Sequence, residues 1–326
     1  MTKRIVDLRD GAPLLDIQSL GRATHPPTQA ERMKIALTVR RVPEVMVRVS
    51  GGARTAAGVK RHMSYIGREG EVELETDMGF TPEGPAIQDS LVKDWDLDLD
   101  QLEASRSIRG RKPVKLVHNV IFSMPPGTPA EKVLNAVRQL AQNEWQLKHR
   151  YAMALHTDQP HPHVHVVLRA MSEEGKRLNI RKATLRSWRS KFADNLRELG
   201  VAANATERAA RGQIKISKPG DIHRAMERGE SRQLHARRFQ IAREAREKIT
   251  TLDPGRETLL GTRYAVVEGW RSIIARLRAN GDHQLADAAR HFVDQMPRVQ
   301  TERSTLRDQM TEIARHRPID PFFHTR

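Results

Sequence analysis

The chain has 326 residues, no cysteine and a formal net charge of +16 at pH 7. The lack of cysteine excludes disulfides, cysteine-ligated zinc and a cysteine nucleophile, and the charge favours a polyanionic partner, nucleic acid before an acidic membrane surface. No apolar run approaches the roughly 20 residues of a membrane helix, and the N-terminus lacks the apolar core of a signal peptide, so we expect a cytoplasmic protein.

The predicted elements begin after a polar segment. Residues 1–41 show no sustained periodicity, so we expect a flexible N-terminal arm. Alternating apolar residues predict a half-buried strand over 44–50, and a helix follows over 54–66, ended by glycines. The acidic stretch 89–103 is interpreted as a solvated loop or helix face rather than a mimic of nucleic acid.

Strands and amphipathic helices then alternate along the chain. An apolar strand is predicted over 115–123 and a helix over 128–148. Two strands over 151–156 and 163–170 are joined by a short link, which favours a hairpin, and a helix over 183–199 follows. This order predicts an α+β fold, an antiparallel sheet flanked by helices.

The composition changes near residue 221. Long charged, helix-favouring stretches cover 223–251, 256–279 and 282–296. We therefore expect a folded domain over 42–220, followed by a mostly helical C-terminal region over 221–326 whose role the motifs do not assign.

Histidines are concentrated in one short segment. Within ten residues the chain carries His156, Asp158, His161, His163 and His165. If the hairpin turn is centred on residues 159–160, His156 lies opposite His163, and His165 lies on the same face. Directly opposed residues have Cβ atoms about 5 Å apart, so their imidazoles can converge on one metal ion. A register slip of one residue would move His156 to the other face.

Two members of the segment have several possible roles. His161 is two residues before His163 and would lie on the same face of a strand, but prolines flank it on both sides. Three roles are therefore open for it: a fourth metal ligand, a phosphate contact or a loop residue. Two roles are open for Asp158. It can accept a hydrogen bond that fixes the tautomer of one imidazole, or it can be a turn residue whose side chain hydrogen-bonds to the local backbone.

A tyrosine lies on the polar side of the helix over 54–66. The apolar stripe of that helix comprises Val59, Met63 and Ile66. Tyr65 lies about 120° from this stripe, on the side that carries Arg61 and, beyond the helix, Arg68, with His62 nearby. A phenol becomes a useful nucleophile when neighbouring positive charge favours the phenolate, so Tyr65 is well placed to meet a phosphate.

Tyr65 and the histidine segment together resemble the relaxases, the mobilisation nucleases of conjugative plasmids and integrative elements within the HUH endonuclease superfamily. The two-histidine motif is His163-Val164-His165. The closest similarity is to the branch with plasmid mobilisation relaxases and the T-DNA border endonuclease. Its motifs match Tyr65-Ile-Gly-Arg68-Glu-Gly, the segment 156–167 and the segment 199–212. One departure is Leu168-Arg169, where relatives often carry asparagine.

The resemblance implies an activity and a set of residue roles. Tyr65 would attack a DNA phosphate at a transfer origin and form a 5′-phosphotyrosyl link. The other implied roles are metal ligation by His156, His163 and His165, support by Asp158, and DNA phosphate binding by Arg61, Arg68 and His62. The metal would be a divalent ion, Mn²⁺ or Mg²⁺. The implied partners are single-stranded and supercoiled DNA, accessory relaxosome proteins and a type IV coupling protein.

Two other functions remain open at this point. His161-Pro-His163-Val-His165-Val-Val also fits the histidine-triad nucleotide hydrolases and transferases, in which a histidine attacks a phosphate without metal. A non-enzymatic DNA-binding protein could use the same histidines as structural zinc ligands, and Tyr65 would then be dispensable.

Overall fold

The computed structural model describes residues 17, 22–23, 25–80, 87–99, 101, 114–213, 225, 228–229, 231–247, 249 and 253–316. The chain divides into two compact units: residues 30–206 belong to the first, and residues 207–326 together with 16–29 belong to the second. The predicted domain boundaries, 42–220 and 221–326, stay a prediction. Across the residues that the structure describes, every helix is too short or too polar to traverse a bilayer.

A six-stranded sheet in the order β1-β4-β6-β5-β2-β3 forms the centre of the first unit. Every neighbouring pair is antiparallel. The strands are β1 (Met46–Gly51), β2 (Glu75–Thr76), β3 (Gly79–Phe80), β4 (Val117–Ser123), β5 (Tyr151–His156) and β6 (His163–Arg169). The predicted antiparallel sheet and its four long strands are thereby confirmed, whereas the short β2–β3 hairpin was not predicted.

Helices cover both faces of this sheet. The helices of the first unit are α1 (Gln29–Val39), α2 (Ala56–Ile66), α3 (Ile87–Asp94), α4 (Ala130–Glu144) and α5 (Lys182–Glu198). Side chains from α4 and α5 pack with Val120, Phe122 and Val166 in the larger hydrophobic core. The fold is therefore the predicted α+β class.

The opposite face is covered by α2 and α3. Val59, Met63 and Ile66 are fully buried in a second core that includes Ala152 and Ala154 of β5. The small alanine side chains let α2 lie close to the sheet, and this packing confirms the predicted apolar stripe. Because α2 packs on β5, Tyr65 is carried to the same sheet face as the histidines.

Two interpretations made from the sequence are wrong in part. The proposed flexible arm contains the helix Gln29–Val39, whose Ile35 is fully buried. Few of its residues are apolar and buried, which explains why no periodicity was visible. Within the acidic stretch, Leu91, Trp95 and Leu97 are buried against the second core, so it is not merely a solvated face.

The segment that follows α5 has a structural role. The Glu44 carboxylate, next to β1, accepts hydrogen bonds from Asn204 Nδ2 at 3.2 Å and from Thr206 N at 2.8 Å. The Thr206 hydroxyl donates to the same carboxylate at 2.6 Å. Asn204 and Thr206 are both buried. This part of the relaxase-like motif over 199–212 therefore fixes the beginning of the edge strand.

The second unit is helical in its described residues. Its long helices are α6 (Arg232–Arg246), α7 (Pro254–Ala279), α8 (His283–Asp294) and α9 (Glu302–His316). Trp270 is fully buried, packs 5.3 Å from the Phe292 ring and donates its indole N–H to the Ala210 carbonyl at 2.9 Å. The predicted mostly helical C-terminal region is confirmed, although α9 was not predicted.

Candidate active site

Three histidines converge on one face of the sheet. In the β5–β6 ladder His156 pairs with His163, and His165 pairs with Ala154. This is the predicted register. One ring nitrogen from each of the three histidines lies within 4.8 Å of the other two. Two nitrogens bound to the same ion are at most about 4.2 Å apart. Small rotations of the imidazole rings would therefore bring all three nitrogens within ligand distance of one ion.

Backbone carbonyls orient two of the rings. His156 donates Nε2–H to the Ile66 carbonyl at 2.7 Å, which makes Nδ1 the acceptor nitrogen, with Arg68 Nη2 at 3.4 Å from it. His163 donates Nδ1–H to the His161 carbonyl at 3.2 Å, which leaves Nε2 with a free lone pair. Carbonyl acceptors of this kind hold metal-binding histidines in one tautomer and orientation.

The third ring is kept neutral by its surroundings. Burial, together with the neighbouring His156 and His163, lowers the pKa of His165 to about 3. Burial likewise lowers the pKa of His163. Neutral imidazoles are the form that binds a metal ion, so the cluster fits the chemistry of a divalent cation. Three imidazole ligands without a carboxylate suit a transition ion better than Mg²⁺.

Tyr65 lies at the mouth of this cluster. Its side chain is 54% exposed, and its ring centroid is 6.0 Å from that of His165 in an edge-on arrangement. On its other side the His62 ring stacks almost parallel, with centroids 5.9 Å apart. The hydroxyl-bearing ring is therefore accessible to solvent while held between two imidazoles.

Arg68 reaches the site through an unusual backbone turn. Helix α2 ends at Ile66, and Arg68 and Glu69 both adopt left-handed conformations, with φ of 49° and 58°. Non-glycine residues rarely occupy this region, and such strain is concentrated at functional sites. The turn brings the Arg68 Cζ atom 5.8 Å from the Tyr65 ring centroid and its Nη2 atom 3.4 Å from His156 Nδ1.

Asp158 pairs with Arg68. The Arg68 guanidinium donates to the Asp158 carboxylate, and within the described part of the chain no imidazole N–H donates to Asp158. Although desolvation acts to raise the pKa of Asp158, the charge and hydrogen bond of Arg68 lower it below its usual value. The predicted position beside the cluster is found, but Asp158 contacts an arginine instead of a histidine.

The remaining predicted residues lie around the same space. His161 packs 5.6 Å from the His163 ring but is outside the described group of three potential ligands. His62 is half-buried, and burial lowers its pKa. Arg61 is exposed and lines a cavity at the beginning of α2. Their proposed contacts with DNA stay predictions.

A polar groove extends from the histidines towards the edge strand. It has a volume of about 410 Å³ and is lined by Met46, Arg48, Ser50, His62, Tyr65, Asn119, Ile121, Ser123, Gln159, His161, His163 and His165. Sequence reasoning missed Arg48, Ser50, Asn119 and Ser123. Their alternate positions in β1 and β4 were a signal, but the pairing of β1, β4 and β6 was needed to place them beside the histidines.

The sheet presents three histidines on paired strands next to a tyrosine on a covering helix, which is the arrangement that the resemblance to the HUH relaxases implies. Residues 83–201 match the family model described as "Relaxase: MobA/VirD2-like, nuclease domain". This part of the chain is therefore similar to the MobA/VirD2-like relaxases. The matched segment contains the histidines and begins after Tyr65.

Curated relatives are similar over the same part of the chain. The T-DNA border endonuclease VirD2 of Rhizobium radiobacter is 26% identical over 205 residues, covering 59% of this chain and 48% of the relative. The VirD2 protein of Agrobacterium fabrum is 26% identical over 213 residues, covering 61% and 47%. That of Rhizobium rhizogenes is 26% identical over 188 residues, covering 52% and 42%. The chain spans about half the length of these relatives or less.

Proposed function

We propose that this chain is a metal-dependent relaxase that nicks and rejoins one DNA strand at a transfer origin. Tyr65 is the nucleophile, and His156, His163 and His165 hold the metal. The observation that carries the proposal is the 6.0 Å separation between the rings of exposed Tyr65 and buried His165. A phosphate in the groove can touch both the phenol and an ion held by the histidines.

The reaction is an in-line displacement at phosphorus. The Tyr65 hydroxyl oxygen forms a bond to phosphorus, the bond from phosphorus to the 3′-oxygen breaks, and the proton lost by the phenol is balanced by one gained at the 3′-oxygen. When bound, the divalent ion supplies Lewis-acid polarisation of the phosphate. The products are a 5′-phosphotyrosyl link and a 3′-hydroxyl. Because the phosphoester is retained, the reverse reaction reseals the strand without ATP.

Arg68 and Asp158 prepare the nucleophile. The Arg68 charge beside the Tyr65 ring stabilises negative charge that develops on the phenol oxygen. The Asp158 carboxylate holds the guanidinium in that place. Asp158 thus acts through Arg68, and the left-handed turn at Arg68 is what makes this contact geometrically accessible.

The cationic chain suits a DNA substrate. Its net charge is +16, and exposed Arg48 and Arg61 line the cavities next to Tyr65. Arginine side chains in a groove hold the phosphates of a single strand. By analogy with the relatives, which are T-DNA border endonucleases, the substrate is a defined DNA border or origin, in single-stranded or supercoiled form. Accessory relaxosome proteins and a type IV coupling protein complete the proposed partners.

The exposure of the candidate nucleophiles favours tyrosine over histidine. His156, His163 and His165 are 3%, 7% and 7% exposed, whereas Tyr65 is 54% exposed. A histidine-triad hydrolase needs one of these rings to reach a phosphate directly. If the histidines only held a structural zinc ion in a DNA-binding protein, the exposed tyrosine next to them would have no role.

The test is covalent capture of a cut strand. The protein is incubated with a labelled single-stranded oligonucleotide carrying its transfer origin and Mn²⁺, then separated on a denaturing gel. A protein–DNA adduct should form, and it should be lost with EDTA and in Tyr65→Phe. Tyr264→Phe is the matched control, because Tyr264 is 69% exposed but belongs to the second unit. An adduct that persists in Tyr65→Phe would overturn the assignment.

A further inference from the structure

Asn119 presents a buried hydrogen-bonding atom without a partner. It lies on β4 and is only 8% exposed, and its side-chain Oδ1 finds no hydrogen-bond partner among the described residues. The nearby Ser50 hydroxyl donates to the main-chain carbonyl of Asn119 at 3.3 Å and not to the side chain. Leaving a buried acceptor unpaired is costly, so an orphan of this kind indicates a missing ligand or water.

His62 presents a second such atom. Its Nε2 is buried and also has no hydrogen-bond partner within the described part of the chain. The Tyr65 ring stacks on one face of this imidazole, and Nε2 lies on the ring edge. In a neutral imidazole the two nitrogens are one donor and one acceptor, so Nε2 can serve either role by choice of tautomer.

The two orphaned groups line the same spaces. Asn119 and His62 both line the groove of about 410 Å³ and the adjoining cavity of about 530 Å³, and Tyr65 lines both as well. They come from different elements, β4 and α2, and neither is used in the proposed phosphoryl transfer. Exposed Arg48 lines the first space and exposed Arg61 the second, where they can hold phosphates on either side.

We propose that Asn119 and His62 form a nucleobase-recognition subsite for one unstacked nucleotide next to the scissile phosphate. This inference rests on the proposed function, because it takes the substrate to be a single DNA strand crossing the groove. A carboxamide has an acceptor and donors side by side, which matches the paired donor and acceptor on the edge of a base. The imidazole Nε2 adds a third polar contact to the same base.

A base edge fits these observations better than a phosphate. A phosphate offers only acceptors and would leave the Asn119 Oδ1 acceptor unpaired. A base with an amino or imino N–H satisfies it, and a wrong base leaves buried polar groups unpaired. Rejection of this kind is how polar sites discriminate strongly between ligands. The pair therefore sets sequence preference at a single position beside the nick.

The test measures binding separately from cleavage. In a Tyr65→Phe background, fluorescence anisotropy compares oligonucleotides that carry each of the four bases at every position flanking the nick. We expect one position at which the preferred base binds about 10-fold tighter or more, the range of one good base contact. Asn119→Val and His62→Phe should abolish the preference at that position only. His62→Phe keeps an aromatic ring against the ring at position 65 while removing Nε2.

Controls separate this inference from the function on which it rests. Arg48→Ala should weaken binding of all sequences equally and reduce its salt dependence, as loss of a phosphate contact does. Asn119→Val should melt at or above the wild-type temperature, because it removes an unpaired buried acceptor. If Asn119→Val and His62→Phe weaken all sequences equally, or leave the preference intact, the subsite is wrong. If wild type forms no covalent adduct, the relaxase proposal fails instead.

Discussion

His156 donates its Nε2–H to the main-chain carbonyl of Ile66 across 2.7 Å. Ile66 is the last residue of α2 and directly follows Tyr65, and its side chain is fully buried. One hydrogen bond therefore connects the histidine cluster to the helix that carries the nucleophile. It sets the tautomer of His156 and the position of α2 relative to the cluster at the same time.

The first prediction concerns metal affinity. His163→Ala should weaken Mn²⁺ binding by at least about 100-fold, since removal of a ligand costs more than the 10–100-fold lost with its supporting contacts. Isothermal titration calorimetry measures the affinity directly. His291→Ala, in a helix of the second unit, is the matched control and should titrate as wild type. Equal affinities for His163→Ala and wild type would contradict the proposed metal site.

The second prediction concerns His161. Its ring is 5.6 Å from that of His163 but is not in the described group of potential ligands. His161→Ala should therefore leave the Mn²⁺ affinity nearly unchanged in the same titration. Because His161 also lines the groove, His161→Ala can weaken the affinity for DNA without changing the affinity for Mn²⁺. A loss of metal affinity as large as that of His163→Ala would make His161 a fourth ligand.

The third prediction concerns the Arg68–Asp158 pair. Arg68→Ala should slow single-turnover cleavage by at least about 10-fold, because charge at the developing phenolate is lost. The melting temperature should change little, since both side chains are substantially exposed. If Asp158 acts only by holding Arg68, Arg68→Ala with Asp158→Asn should be no slower than Arg68→Ala alone. Additive losses would give Asp158 an independent role.

The fourth prediction concerns stability. Thr206→Val removes the hydroxyl that bonds the Glu44 carboxylate at 2.6 Å and should lower the free energy of unfolding by about 1–3 kcal/mol. Thr128→Val is the control, because its hydroxyl bonds the Pro125 carbonyl at the surface and should matter much less. Urea denaturation measures both. Equal small losses would show that the Glu44 contacts do not stabilise the edge strand.

Much of the candidate site could be predicted from patterns within short segments of the sequence. The turn chemistry between β5 and β6 and the side-chain period of a strand were enough to pair His156 with His163. The helical period of α2 was enough to separate Tyr65 from the buried stripe. Both are properties of short segments, which the sequence determines directly.

Contacts between segments that are far apart in the sequence could not be predicted from such patterns. Helical periodicity does not predict that Arg68, just beyond the end of the helix, adopts a left-handed conformation and pairs with Asp158. Asn119 and Arg48 join the site only because β4 pairs with both β6 and β1. The helix Gln29–Val39 is held by tertiary contacts such as the bond from Asn204 to Thr38, which no local pattern predicts.

The most direct test of the central claim is to locate the DNA-linked residue by mass spectrometry. The Mn²⁺-dependent adduct is trimmed with nuclease, digested with protease and sequenced. We expect a 5′-phosphonucleotide on the phenol oxygen of Tyr65. A nucleotide on Tyr151, Tyr264 or an acid-labile histidine linkage would contradict it.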